Sequence, residues 1–360
     1  MTGHPYSTLP AHCFWRQGVA EAAAAELDPV VQAKFTVRRS DLVATAGSCF
    51  AQHIARHLAA SGFSYYVSET AHPIFDRHIA AAYNYGTFTA RYGNVYTSRQ
   101  LLQLLRRAYG EFVPRDDIWL AADGRCYDPF RPRIQPHGFA SEREYRADRA
   151  RHFAAVRGSV ETMDVFVFTL GLTETWVSRE DGAAYPLCPG VGAGTFDAAR
   201  HGFVNLRMAE VLADMQDALD FVRDRNPRIK FILTVSPVPL AATAEDQHVL
   251  VSTTYSKSVL RAVCGELAAQ YADVAYFPSY EIIAGAPARS RYYGADLRTV
   301  LEPGVTHVMR LFLKHYGGGE AAEPSAAAAA AALDAESRRV NRDVEDAVAV
   351  VCEEAALGGA

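Results

Sequence analysis

Ser48 and Cys49 stand side by side in DLVATAGSCFAQHIARHL (41–58), where small and β-branched residues give way to helical spacing. A thiol in the first turn of a helix meets the positive end of the helix dipole, which lowers its pKa and favours the nucleophilic thiolate. The unpaired N–H groups of the same turn could receive an oxyanion. The plainer alternative is that serine and cysteine are small enough for a tight strand-to-helix turn. Spacing alone leaves both open.

Proton carriers are scattered among twelve histidines. His53 and His57 follow Cys49 at i+4 and i+8, on one helix face. Two histidines at that spacing are a metal-site pattern, but no Glu or Asp follows at ligand spacing, so no metal is expected. His248, in EDQHVLVSTTYSKS, comes just after a proline-rich strand exit and is a candidate base. Tyr255, Ser256 and Lys257 in YSKS belong to the candidate substrate region. Ser256 and Lys257 read either as a Ser–Lys pair or as a serine N-cap followed by a surface lysine. Trp176 is either an apolar wall for an acyl or sugar group, or core.

These residues need a scaffold. LVATAGS reads as a short buried strand, and CFAQHIARHLAASG as a helix with Phe50, Ile54 and Leu58 on one face and Gly62 as its stop. SYYV is a further strand candidate. NYGTFTARYGNVYT (84–97) is loop, followed by a helix with Ser98 as N-cap. DVFVFTLGLTETW (164–176) is the clearest buried strand, and RIKFILTVSPVPL is another. Helices are expected over 205–227, from YSKSVLRAVCGELAAQY and from GVTHVMRLFLKHY. Strands alternating with helices predict an α/β fold with a mostly parallel central sheet and helices on both faces. In such sheets the site lies beyond the carboxyl ends of the strands, where GSC, GLTETW and SPVPL fall.

The expected organisation is an N-terminal extension (1–40) packed on the core through HCFW, and a main domain (41–316). An insertion or lid occupies about 111–150, and a glycine hinge with an alanine-rich helical tail occupies 317–360. The tail is a route to homo-oligomers. Hydrophobic content of 49%, charged content of 21% and a net charge of −5 describe a globular protein without the basic stripe of a nucleic-acid binder. No run of about 20 apolar residues suggests a membrane span. Six cysteines without CxxC spacing, and no basic-then-apolar leader, place the chain in a reducing cytoplasm.

TAGSCFAQHIARHL strongly resembles the signature of the GSCFA family, itself distantly similar to the SGNH (GDSL-type) esterases and acyltransferases. YGNVYT, FTLGLTETW, TVSPVPL, YSKSVLRA and YFPSYEI resemble its later blocks, over roughly 41–316. The resemblance implies an SGNH-hydrolase-like three-layer fold. It also implies that Gly47, Ser48 and Cys49 lie on the Gly-Asp-Ser block, with Cys49 at the nucleophile. Gly93, with Asn94 beside it, would fall on the oxyanion glycine. GLTE keeps Gly171 but offers Thr173 and Glu174 where that pattern has asparagine and aspartate. The last block departs most. Asp296 matches the aspartate of Asp-x-x-His, Thr299 stands where the histidine is expected, and the next histidine is His307.

The expected function is acyl transfer, as an esterase or O-acyltransferase acting on a small or carbohydrate-linked ester. Cys49 would attack and His307 or His248 would move the proton. No resident cofactor is expected, although a transferase would use an acyl donor such as a thioester. The alternative is a catalytically silent fold of the same kind that binds a glycan, an acyl carrier or a partner protein.

Overall fold

The computed structural model describes residues 4–317. In chain order the strands are β1 (Val43–Gly47), β2 (Trp119–Leu120), β3 (Cys126–Tyr127), β4 (Val165–Leu170), β5 (Glu174–Ser178), β6 (Ala184–Tyr185), β7 (His201–Asn205), β8 (Lys230–Val235) and β9 (Val274–Tyr276). The helices are α1 (Phe50–Ala60), α2 (Arg77–Ala82), α3 (Ser98–Ala108), α4 (Glu142–Thr162), α5 (Met208–Arg223), α6 (Val249–Gln270), α7 (Ser279–Ala284) and α8 (Glu302–Tyr316).

Four strands build the central sheet in the order β1-β4-β8-β9, every pair parallel. β1 and β4 are buried along their whole length, which is why they lack the polar alternation of a half-exposed strand. Along β4, Val165 and Val167 pack with Phe50, Ile54 and Leu58 of α1 and with Val308 and Phe312 of α8. Phe166 and Phe168 point the other way, into Leu101 and Leu105 of α3, Met215 and Leu219 of α5 and Leu260 of α6. The result is three layers, helix–sheet–helix, and each such buried side chain contributes about 1.5–3 kcal/mol.

SYYV does not become a strand. Only Tyr65 bridges to Val43, so β1 is the outermost full strand. Its outward peptide groups are satisfied in another way. Thr45 N–H donates to the Thr89 hydroxyl at 2.9 Å, and the Tyr92 hydroxyl donates to the Thr45 carbonyl. Val95 N–H donates to the Gly47 carbonyl at 2.8 Å. The 88–95 loop therefore does the work of an edge strand with two side chains and one amide.

Other expectations shift. α3 is capped by Thr97, not Ser98, through a capping box with Gln100, and the Ser98 hydroxyl turns to Asp214 at 3.2 Å. The insertion boundary near 150 falls inside α4, whose Tyr145, His152 and Val156 are buried. Residues 111–141 carry the short β2–β3 hairpin, and β5 pairs antiparallel with β6 and β7 in a separate small sheet. Within HCFW, Phe14 is half-buried while Trp15 is 70% exposed. Val37 is buried and Phe35 packs beside it, while the Leu27 carbonyl and Asp28 side chain bind α8. The alanine-rich tail and the oligomer contact assigned to it lie outside the described residues. Among the described residues no helix is long and apolar enough to cross a membrane.

Gly47 ends β1 at φ +136°, and a Cβ there would sit 2.2 Å from the Thr169 carbonyl oxygen on β4. Backbone and strand pairing both forbid a side chain. Gly47→Ala is expected to cost more than about 3 kcal/mol in urea unfolding, or to give no folded protein. A midpoint equal to that of the unsubstituted chain would contradict this packing.

Candidate active site

Three sequence-distant loops meet where β1 and β4 end. Ser48 N–H continues the ladder to the Thr169 carbonyl at 3.0 Å, and its own carbonyl accepts from Ala51 at 2.8 Å, opening α1. Cys49 already has helical backbone angles and is the N-cap residue of α1. It is 5% exposed. Ser48 is buried as well, and its hydroxyl has no hydrogen-bond partner among the described residues.

The second loop is tied to the first by Val95 and by Asn94, whose side-chain oxygen accepts from Gln52 Nε2 at 3.0 Å. Gly93 supplies the left-handed turn, at φ +70°, that lets both reach in. The third loop joins through the Tyr96 carbonyl, which accepts from the N–H groups of Gly171 at 2.9 Å and Leu172 at 3.2 Å. A Cβ on Gly171 would lie 3.1 Å from both Ser48 Cβ and the Tyr96 carbonyl, so glycine is what permits the close approach.

Behind Gly171 stands α6. Its first residue is Val249, capped by the His248 ring, so Ser256 is no N-cap. Lys257 is 2% exposed rather than a surface lysine, and its ammonium donates to the Gly171 carbonyl at 2.5 Å. Ser256 Oγ accepts from Thr173 N–H at 3.0 Å. The pair braces the GLTE loop from inside, through two different backbone groups.

The remaining GLTE side chains face other partners. The Thr173 hydroxyl donates to Asn205 Oδ1 at 2.7 Å, and Asn205 Nδ2 donates to Glu245 at 3.1 Å. The proton that the resemblance assigned to an oxyanion thus goes to Asn205. Burial pushes the Glu174 carboxyl above its ordinary pKa, opposed by a 2.7 Å hydrogen bond from Thr243. Trp176 is half-buried and meets Phe196 and Phe203 edge-on, forming an aromatic cluster of the small sheet. Tyr255 is 40% exposed on α6.

The expected acid–base residues each have hydrogen-bond partners of their own. His307 is buried against the N-terminal extension. Its Nε2 donates to the Leu27 carbonyl at 2.9 Å, which leaves Nδ1 to accept from the Tyr292 hydroxyl at 2.9 Å. Burial lowers its pKa, so the ring is neutral with its lone pair already taken. Asp296 folds onto its own turn, accepting from Thr299 Oγ1 at 2.6 Å and from the N–H groups of Arg298 and Thr299. Those bonds hold its carboxyl below the ordinary range. His248 is exposed and its Nδ1 accepts from Leu250 N–H at 3.1 Å.

The α1 histidines differ from one another. Burial, then Arg56, holds His53 down at about 4, against the pull of Glu302, so its imidazole is neutral at neutral pH. His57 faces acceptors on both nitrogens, Glu302 at 3.3 Å and the His53 carbonyl at 3.0 Å, and its pKa is raised. Gln52 and Asn205 were not singled out from the sequence. Gln52 had a signal, as a polar residue three positions after Cys49 that would otherwise face a buried helix layer. Asn205 had none.

Lys257→Met removes the ammonium but keeps much of the side-chain volume, leaving the Gly171 carbonyl short of a buried donor. It is expected to cost about 1–3 kcal/mol in denaturant unfolding, whereas Tyr255→Ala should be near neutral. The His57–Glu302 pair gives a pH signature. A raised folded-state pKa means its contribution is full below about pH 6.5 and fades as pH rises through the elevated value. Glu302→Gln should therefore lower the unfolding midpoint more at about pH 6 than at about pH 8.5; an equal loss at both would contradict the pairing.

A search of curated proteins finds no match. The family model described as the GSCFA family matches residues 42–312, a span that includes every loop of this junction. The chain belongs to the GSCFA family.

Proposed function

We propose that this protein is an acyl-transfer enzyme of SGNH-like architecture, an esterase or O-acyltransferase that uses Cys49 on a small or carbohydrate-linked ester. What supports it is the three-loop junction: the residues that a nucleophile, its oxyanion donors and its supporting loop would require meet at the carboxyl ends of β1 and β4, with Cys49 at the start of a helix. That is where open α/β sheets carry their sites.

In this reading the Cys49 thiolate attacks the ester carbonyl carbon. The tetrahedral oxyanion is met by backbone N–H groups of Cys49 and Gly93, the carbon–oxygen bond breaks and the alkoxide takes a proton from solvent, and the thioester passes its acyl group to water or to an acceptor hydroxyl, which releases its proton to solvent as the Cys49 thiolate is restored. The helix dipole stabilises the thiolate, which lessens the need for a strong base. With His307 and His248 engaged elsewhere, His53 is the histidine placed one turn beyond Cys49 on the same helix face, and it is neutral. An acyl thioester would serve as donor for a transferase.

The engagement of His307 and Asp296 favours a second reading, a catalytically silent binder of a glycan, acyl carrier or protein. Intact-mass analysis after incubation with p-nitrophenyl acetate, followed by peptide mapping, separates the two. The enzyme reading expects one acetyl group on the peptide containing Cys49, absent in Cys49→Ala. Label confined to the exposed Cys13, with Cys49 shown to be titratable by a disulfide reagent, would leave the binding reading.

A further inference from the structure

β4 ends at Leu170, and one residue later the sheet no longer separates its two helical layers. α1 covers one face through Phe50 and Ile54, and α6 the other through Leu260. Gly171 is where the layers meet. A Cβ there would lie 3.1 Å from Ser48 Cβ and 3.2 Å from the Tyr96 ring, while the Gly171 carbonyl takes the Lys257 ammonium at 2.5 Å. Cys49 directly follows Ser48. A single glycine thus connects the lysine to the turn that carries the thiol.

Lys257 is one of four lysines among 36 basic residues, and it alone of the four is buried. Taking an ammonium out of water is costly, and a carbonyl that receives it supplies a hydrogen bond but no charge. Bracing a loop asks only for a donor, and a neutral amide would serve. A cation in that place does something an amide cannot. It favours the ionised form of an acid close by, and with Cys49, Ser48 and Tyr96 all buried the field between them is weakly screened.

The other ionisable groups of the elements that meet here are differently occupied. On α1, His53 is neutral at neutral pH and His57 pairs with Glu302 of α8, while Arg56 lies two turns beyond Cys49. In the second loop Arg91 pairs with Asp148, the Tyr92 hydroxyl donates to the Thr45 carbonyl, and the Tyr96 ring lies beside Gly171. Glu174 accepts from Thr243, and Glu245 from Asn205.

We propose that Lys257 is the charge partner of Cys49, a positioning residue whose ammonium, acting across Gly171, keeps the thiol ionised at neutral pH. The inference rests on the acyl-transfer reading for the use of a thiolate, although the charge pairing itself needs no ester. It assigns to a lysine of α6 the part that sequence pattern gave to a histidine.

The thiolate of Cys49 is read as the absorbance step near about 240 nm, taken as the difference between the full chain and its Cys49→Ala variant over about pH 5–10. The midpoint is expected at least about one unit below the ordinary thiol value of about 8.5. Lys257→Gln keeps an N–H donor for Gly171 but no charge. With Cys49→Ala in the same background as its reference, it should raise the midpoint by about 1–3 units, or at least about tenfold less thiolate at pH ~6.5. A role in bracing alone would leave the midpoint of Lys257→Gln in place, and that result, or an unsubstituted midpoint of about 8.5 or higher, overturns the proposal. Should Lys257→Gln not fold, the coupling is read from the lysine side, by NMR titration of ¹³Cε-labelled lysine. Cys49→Ala should then lower the Lys257 midpoint by a similar amount, and an unchanged midpoint overturns the pairing. A low, Lys257-dependent midpoint without acetylation of Cys49 supports this inference and removes the acyl-transfer reading. Acetylated Cys49 with a midpoint independent of Lys257 does the reverse.

Discussion

The outer edge of β1 is the constraint on which the site depends. Buried peptide groups must be hydrogen-bonded, and an outermost strand presents a row of them. In β1 the outward groups belong to Val43, Thr45 and Gly47, and the isolated bridge beside Tyr65 satisfies only the first. Thr89, Tyr92 and Val95 take the others. Once the 88–95 loop is pinned there, Asn94 reaches α1 and the Tyr96 carbonyl reaches Gly171. The junction around Cys49 follows from closing a sheet edge.

A layer of buried charge keeps that loop in register. Arg91 N–H donates to Glu69 at 2.7 Å, and Arg131 donates to the Arg91 carbonyl at 3.1 Å. With Asp128 and Asp148 these residues join the 84–97 loop, the 128–131 turn and α4. Desolvation offsets much of the Coulomb energy of such pairs, so their value lies more in admitting one arrangement than in raw stability. They also tie the 128–131 turn, inside the 111–150 segment, to the 84–97 loop and α4.

Residue type proved a weaker guide than residue position. His307, Asp296 and His248 have the chemistry of acid–base groups, yet Asp296 and His248 satisfy backbone of their own turns and His307 satisfies the distant Leu27 carbonyl. Lys257 ran the other way, since a lysine on a long helix reads as solvated until its ammonium is found on the Gly171 carbonyl. A side chain that titrates is also a side chain that caps, braces or fills, and only its partners say which.

Composition and periodicity sufficed for the α/β class, the parallel strands at 43–47, 165–170 and 230–235, the α1 face of Phe50, Ile54 and Leu58, and the placing of GSC and GLTE at strand ends, while GNVYT was brought to them only by the family resemblance. Those features are written in local burial and in small residues at close approaches, which any window of the chain carries. The replacement of the edge strand by Thr89 and Tyr92, the inward lysine, the Thr173–Asn205 bond and the seating of His307 against Leu27 were decided by tertiary structure alone. Each joins partners far apart in the chain, and a hydrogen bond's direction depends on where both ends finally stand.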